Sequence, residues 1–141
     1  MPDEPSPSIS QIIAPVGSTG GLYLGNYRAA CNLELLKGHR ITAAITLGKE
    51  MAPPKAKNIS NLVIKIEDSP LSDLLNHLPK CVKFIKEHIS AGNVFVHCRA
   101  GISRSATVVI AYLMSSKQYS IEKVPLHLSV RQSERQKKSG R

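Results

Sequence analysis

Nine residues, His97-Cys98-Arg99-Ala100-Gly101-Ile102-Ser103-Arg104-Ser105, constrain the folding of this chain more than any other stretch. They follow Val94-Phe95-Val96, which reads as a short buried strand, and they run into Ala106 to Met114, which is apolar nearly all round and reads as a buried helix. A thiol and a guanidinium therefore share a loop between the end of a strand and the start of a helix. Amide N–H groups at a helix start have no partners within the helix, and with the helix dipole they favour a bound anion such as phosphate.

The surrounding sequence alternates strands with helices. Ile9 to Ala14 and Gly21 to Leu24 read as two short strands about a turn holding Gly17, Ser18, Thr19 and Gly20. Asn26 is placed to cap a helix whose apolar positions Ala29, Ala30, Leu33 and Leu36 recur at helical spacing until Gly38. Ile41 to Leu47 is the pattern of a strand covered on both faces, and Leu62 to Ile66 gives another, ending at Glu67-Asp68-Ser69-Pro70. Leu74, Leu78, Cys81, Val82, Ile85 and Ile89 then repeat as a helix, with Pro79 suited to its first turn, Gly92 as a stop and one further turn of helix before Pro79. The fold class expected is α/β: a central, mainly parallel sheet of about five strands flanked by helices, with the loop between the last strand and a buried helix. Ligands of open sheets sit beyond the carboxyl ends of the strands, so Asp68 and Cys98, each following a strand, are expected to reach one crevice.

At 141 residues there is room for one domain, expected over residues 9–124 between a disordered Pro- and Ser-rich start at 1–8 and a polar, basic tail at 125–141. No run approaches the ~18 apolar residues of a membrane span, and the first residues lack the pattern of a signal peptide, which points to a soluble cytoplasmic or nuclear protein. The cysteines Cys31, Cys81 and Cys98 are too scattered for a disulfide framework or a zinc site. No metal and no cofactor are expected, and Cys31 and Cys81 read as core residues on helices. The formal charge of +9 gathers partly in the tail and aromatics are scarce, which argues for a solvated tail rather than a nucleic-acid partner.

The loop has the parts of a phosphate-transfer site. Only a thiolate is a good nucleophile, and converging amides, a helix start and Arg104 all stabilise an anion at Cys98. A guanidinium binds phosphate oxygens in bidentate fashion as lysine cannot. Gly101 permits close backbone approach, the Ser105 hydroxyl can bond the sulfur, and His97 is expected to orient the loop rather than to move protons. A departing alkoxide or phenolate needs a proton from the opposite side. Asp68 is the choice for that acid over Glu67, and in a second step it would activate water against a phosphocysteine while Ser105 helps the thiolate leave.

The motif from His97 to Ser105, His-Cys followed by five residues and Arg-Ser, closely resembles that of the cysteine-dependent dual-specificity protein phosphatases. Gly21-Leu22-Tyr23-Leu24-Gly25-Asn26, Ile41 to Leu47, Glu67-Asp68-Ser69-Pro70 and Ala106 to Met114 resemble further parts of that family, over roughly residues 10 to 119. The resemblance implies Cys98 as nucleophile, Arg104 as phosphate clamp, Asp68 as general acid, Ser105 as assistant in hydrolysis, and Arg99, Ala100, Gly101, Ile102 and Ser103 as an amide cradle. It implies phosphoprotein substrates bearing phosphotyrosine and phosphoserine or phosphothreonine. Loop lysines of phosphoinositide-preferring relatives are absent, which ranks lipid substrates lower, and an RNA 5′-phosphatase, favoured by the basic tail, likewise ranks below phosphoproteins. After Tyr119 the sequence departs from the family pattern, with Pro125 where a closing helix is expected. That departure motivates the alternative of a weakly active or inactive phosphate-binding regulatory module.

Overall fold

The computed structural model describes residues 6–49, 51–67, 71–99 and 103–116. Two of its strands, β3 (Ile41–Leu47) and β5 (Asn93–Cys98), are buried at almost every position, as strands covered on both faces must be. They pair in parallel at the centre of a five-stranded sheet. The other strands are β1 (Ile9–Ile13), β2 (Leu22–Gly25) and β4 (Ser60–Ile64), in the order β1-β2-β5-β3-β4. All neighbours are parallel except β1 and β2, which form an antiparallel pair at one edge.

The crossover from β2 to β3 carries α1 (Tyr27–Ala30) and α2 (Leu33–Gly38), whereas that from β4 to β5 carries α3 (Leu71–Leu75) and α4 (Leu78–Ile89); α5 (Ser103–Ser115) follows β5. Side chains alternate across a strand, so the sheet feeds two cores. Val94, Val96 and Cys98 join Ala43, Ile45 and Leu47 in the core with α4 and α5. Phe95 joins Ala44 and Tyr23 in the core with α1 and α2. His97 and its neighbour Cys98 thus belong to opposite faces of the sheet.

Three expectations need correction. The single helix after Asn26 is two, because Asn32 leaves the helical conformation and its side chain accepts a 3.0 Å hydrogen bond from the Leu35 amide as a second cap. Cys31, at the end of α1, is consequently exposed rather than in the core, whereas Cys81 is buried as expected. The fourth strand ends at Ile64 and not Ile66: Ile64 pairs with Leu47, the last residue of β3, and beyond it the Ile66 amide turns back to the Ile64 carbonyl at 3.0 Å. The one-turn helix before Pro79, the turn at 17–20 and the helix leaving the loop are all present. The start at 1–5 and the tail from residue 117 onward lie outside the described residues.

Candidate active site

Cys98 is the last residue of β5, and α5 opens at Ser103, so the loop occupies the junction expected of it. The Cys98 side chain is buried, and its sulfur lies 3.3 Å from the Oγ of Ser105, itself fully buried in the first turn of α5. Next to Ser105, Arg104 sends Nη2 to the backbone carbonyl of Glu67, donating at 3.0 Å. That bond ties the first turn of α5 to the segment after β4. The ends of three strands thereby converge, and a cleft of about 280 Å³ opens there, lined by Lys49, Met51, Ile66, Glu67, Arg99 and Arg104 among others.

Glu67 is half of an exposed ion pair with Lys49 at 3.0 Å. Such exposed pairs contribute little to stability, roughly 0–1 kcal/mol, but this one fixes the charge pattern at the rim of the cleft. Arg99 is exposed, as expected of a loop residue. Its guanidinium lies 5.7 Å from the centre of the Tyr27 ring, and its carbonyl accepts a hydrogen bond from the Tyr27 amide at 3.2 Å. Tyr27 in turn stacks on His97 at 6.3 Å, and Phe95 stacks on the imidazole at 5.4 Å. The phenol of Tyr27 has a raised pKa, first through its hydrogen bond to Cys31 and then through burial.

His97 is fully buried, and burial pulls its pKa down to about 4, against a smaller upward effect of the Cys98 backbone. It is therefore neutral near neutral pH, consistent with orienting the loop rather than supplying a charge. Its Nε2 meets the hydroxyl of Thr46 at 2.8 Å. Sequence reasoning missed Thr46, Tyr27 and Lys49. The position of Lys49 just beyond the carboxyl end of β3 is a signal for the rim, whereas nothing local in the sequence marks Thr46 or Tyr27.

Of the residues expected at the site, Cys98, Arg104, Ser105, His97 and Arg99 come together around the β5–α5 junction. Ser103 supplies the first residue of α5. Asp68, Ala100, Gly101 and Ile102 lie outside the described residues. No group of metal-ligating side chains occurs among the described residues.

A buried cysteine at the carboxyl end of a central parallel strand, beside a serine hydroxyl and an arginine of the helix that follows, is the arrangement that the sequence motif predicts for a phosphatase. The chain belongs to the family described as dual specificity phosphatase, catalytic domain, which matches residues 22–139. It is 39% identical over 119 residues to dual specificity protein phosphatase MPK-4 of Drosophila melanogaster, across 82% of this chain and 30% of that protein. Against dual specificity protein phosphatase 12 of Rattus norvegicus it is 41% identical over 107 residues, across 73% of this chain and 32% of that protein. The chain thus spans about a third of the length of these two relatives. The crystal structure of human DUSP28 superposes with a TM-score of 0.68 at 30% identity, covering 84% of this chain and 79% of that one.

Proposed function

We propose that this chain hydrolyses phosphate monoesters on phosphotyrosine and on phosphoserine or phosphothreonine in proteins, through a phosphocysteine at Cys98 and without a metal ion. The observation that carries this reading is the grouping of Cys98, Ser105 and Arg104 at the end of β5 and the first turn of α5. The Arg104 guanidinium and the start of α5 supply the positive field that a transferring phosphoryl group requires. Sulfur attacks phosphorus, the ester oxygen leaves with a proton from Asp68, and water then cleaves the P–S bond as Ser105 stabilises the departing thiolate.

Phosphoprotein substrates are supported by the names of the relatives and by a cleft open enough for a side chain presented from a protein surface. A reducing compartment, cytoplasm or nucleus, suits three free cysteines. No described helix is long and apolar enough to cross a membrane.

The test is hydrolysis of an aryl phosphate and of a phosphopeptide in the presence of a chelator, with wild type beside Cys98→Ser. Chelator-resistant turnover that disappears in the serine variant is expected; turnover that persists in it overturns the mechanism. Asp68→Asn should slow a poor leaving group far more than a good one, and equal slowing would remove Asp68 from the acid role.

A further inference from the structure

Arg99 directly follows Cys98, and its exposed guanidinium lines the cleft together with Arg104. Among the described residues no carboxylate pairs with it; its partner is the ring of Tyr27, whose centre lies 5.7 Å away. The other cations of the cleft are engaged: Lys49 pairs with Glu67 at 3.0 Å, and Arg104 donates to the Glu67 carbonyl. With Lys49 offset by Glu67 and Arg104 reserved for a phosphoryl group, the charge of Arg99 is left over. Tyr27 is itself fixed from several sides. Its amide donates to the Arg99 carbonyl at 3.2 Å, its ring stacks on His97 at 6.3 Å, and its hydroxyl bonds Cys31 and the backbone of Ala52. Held in this way, the ring covers one face of the guanidinium and leaves the donor-bearing edge without a partner among the described residues.

We propose that Arg99 is a specificity-determining residue that binds a second anion of the substrate, a carboxylate or a further phosphate close to the phosphoresidue being hydrolysed. This rests on reading Cys98 and Arg104 as the phosphate-transfer site, and it adds the substrate class: phosphoproteins that are acidic beside the reacting residue. An arginine ordered before binding loses less rotamer freedom when it takes up an anion, which is what the Tyr27 ring contributes. Paired N–H donors match a carboxylate or phosphate in bidentate fashion, so the contact selects by geometry as well as by charge. Covering Tyr27 calls for no charge, since an aliphatic side chain would cover the ring as well. Because Arg99 adjoins Cys98, the second anion falls within about 10 Å of the phosphorus, roughly one to three residues along an extended substrate chain.

The test begins with binding to Cys98→Ser, which requires no turnover. Fluorescence anisotropy compares three phosphotyrosine peptides that differ only in their flanks, which carry glutamine, glutamate, or a second phosphate on a neighbouring threonine. At about 0.1 M salt the glutamate peptide is expected to bind about threefold, and the doubly phosphorylated one about tenfold, more tightly than the glutamine peptide. Adding Arg99→Gln should bring both ratios to about one, Arg99→Lys should keep part of them, and Tyr27→Leu should reduce them. In the wild type, kcat/KM should follow the same order, and Arg99→Gln should level the three peptides whatever it does to the rate they share. Preference for only one of the two anionic peptides upholds the proposal and names the source of the anion. Equal binding of all three overturns it, and so do ratios that survive Arg99→Gln, which would assign them to the general positive charge of the chain. Should Tyr27→Leu not fold, the two Arg99 variants decide. A chain that keeps the binding order yet hydrolyses no peptide fails the functional reading alone, whereas one that hydrolyses and binds all three equally fails this proposal alone.

Discussion

At position 104 a guanidinium has two tasks in different directions. One N–H reaches the Glu67 carbonyl at 3.0 Å, and in the proposed reaction the planar fork would then fix how the other donors face an incoming phosphate. Lysine offers a point charge on a flexible stem and does neither with the same geometry. Arg104→Lys is expected to lower kcat/KM by about 10²–10³-fold in steady-state assays, with the fold retained. In the proposed reaction the neighbouring Ser105 hydroxyl, 3.3 Å from sulfur, would support the leaving thiolate of the second step. Ser105→Ala should therefore leave formation of the phosphocysteine nearly intact and slow its breakdown, so that rapid mixing with an aryl phosphate shows a burst of about one equivalent per site. A variant that is slow with no burst would place Ser105 in the first step instead.

At the scale of elements, the sequence is most legible where burial is complete. Ile41 to Leu47 and the run into Cys98 are apolar on both faces, and no other element accommodates such a pattern at that length; β3 and β5 occupy those positions. Legibility fails where a short polar side chain competes with the backbone. Asn32 interrupts a sound helical period, because its carbonyl oxygen satisfies the Leu35 amide at 3.0 Å and starts a new helix, and this break carries Cys31 into solvent. Asn32→Ala should accordingly destabilise the chain by about 1 kcal/mol in urea unfolding, the usual effect of losing such a cap. That Cys98, Arg104 and Ser105 lie together was legible, because they are local in sequence. Their support was not, because Thr46 reaches His97 through strand pairing 51 residues away and a threonine in a strand looks like ordinary β propensity. Gly20 is a similar case: a Cβ there would collide with the backbone carbonyl of Gly92, a long-range contact that no local pattern reveals. Gly20→Ala should lower the unfolding midpoint by more than Asn32→Ala, since backbone on both sides must move.

For the whole molecule, the two cores on either side of the sheet each bury a titratable group in its neutral form, and together these bound the pH range of stability. Burial lowers the His97 pKa from 6.5 to about 4. Below pH 6.5 the unfolded chain gains a proton that the folded one refuses, so this contribution is complete above 6.5 and is lost as pH falls through about 4, a change of about 3 kcal/mol. Burial raises the Cys81 pKa from 9.0 to about 11, the nearby Lys80 opposing it weakly. Here the sign reverses: above pH 9 the unfolded thiol ionises while the folded one stays protonated, so stability is complete below 9 and falls by about 3 kcal/mol as pH rises to 11. Urea midpoints measured across pH should form a plateau between 6.5 and 9 with a decline on either side. Cys81→Ala should lower the plateau through the cavity it creates yet flatten the alkaline decline, and an alkaline slope unchanged in that variant would assign the loss to other groups. The acid limb belongs to His97, whose Nε2 meets the Thr46 hydroxyl at the centre of the sheet, and a His97 substitution should flatten that limb as Cys81→Ala flattens the alkaline one.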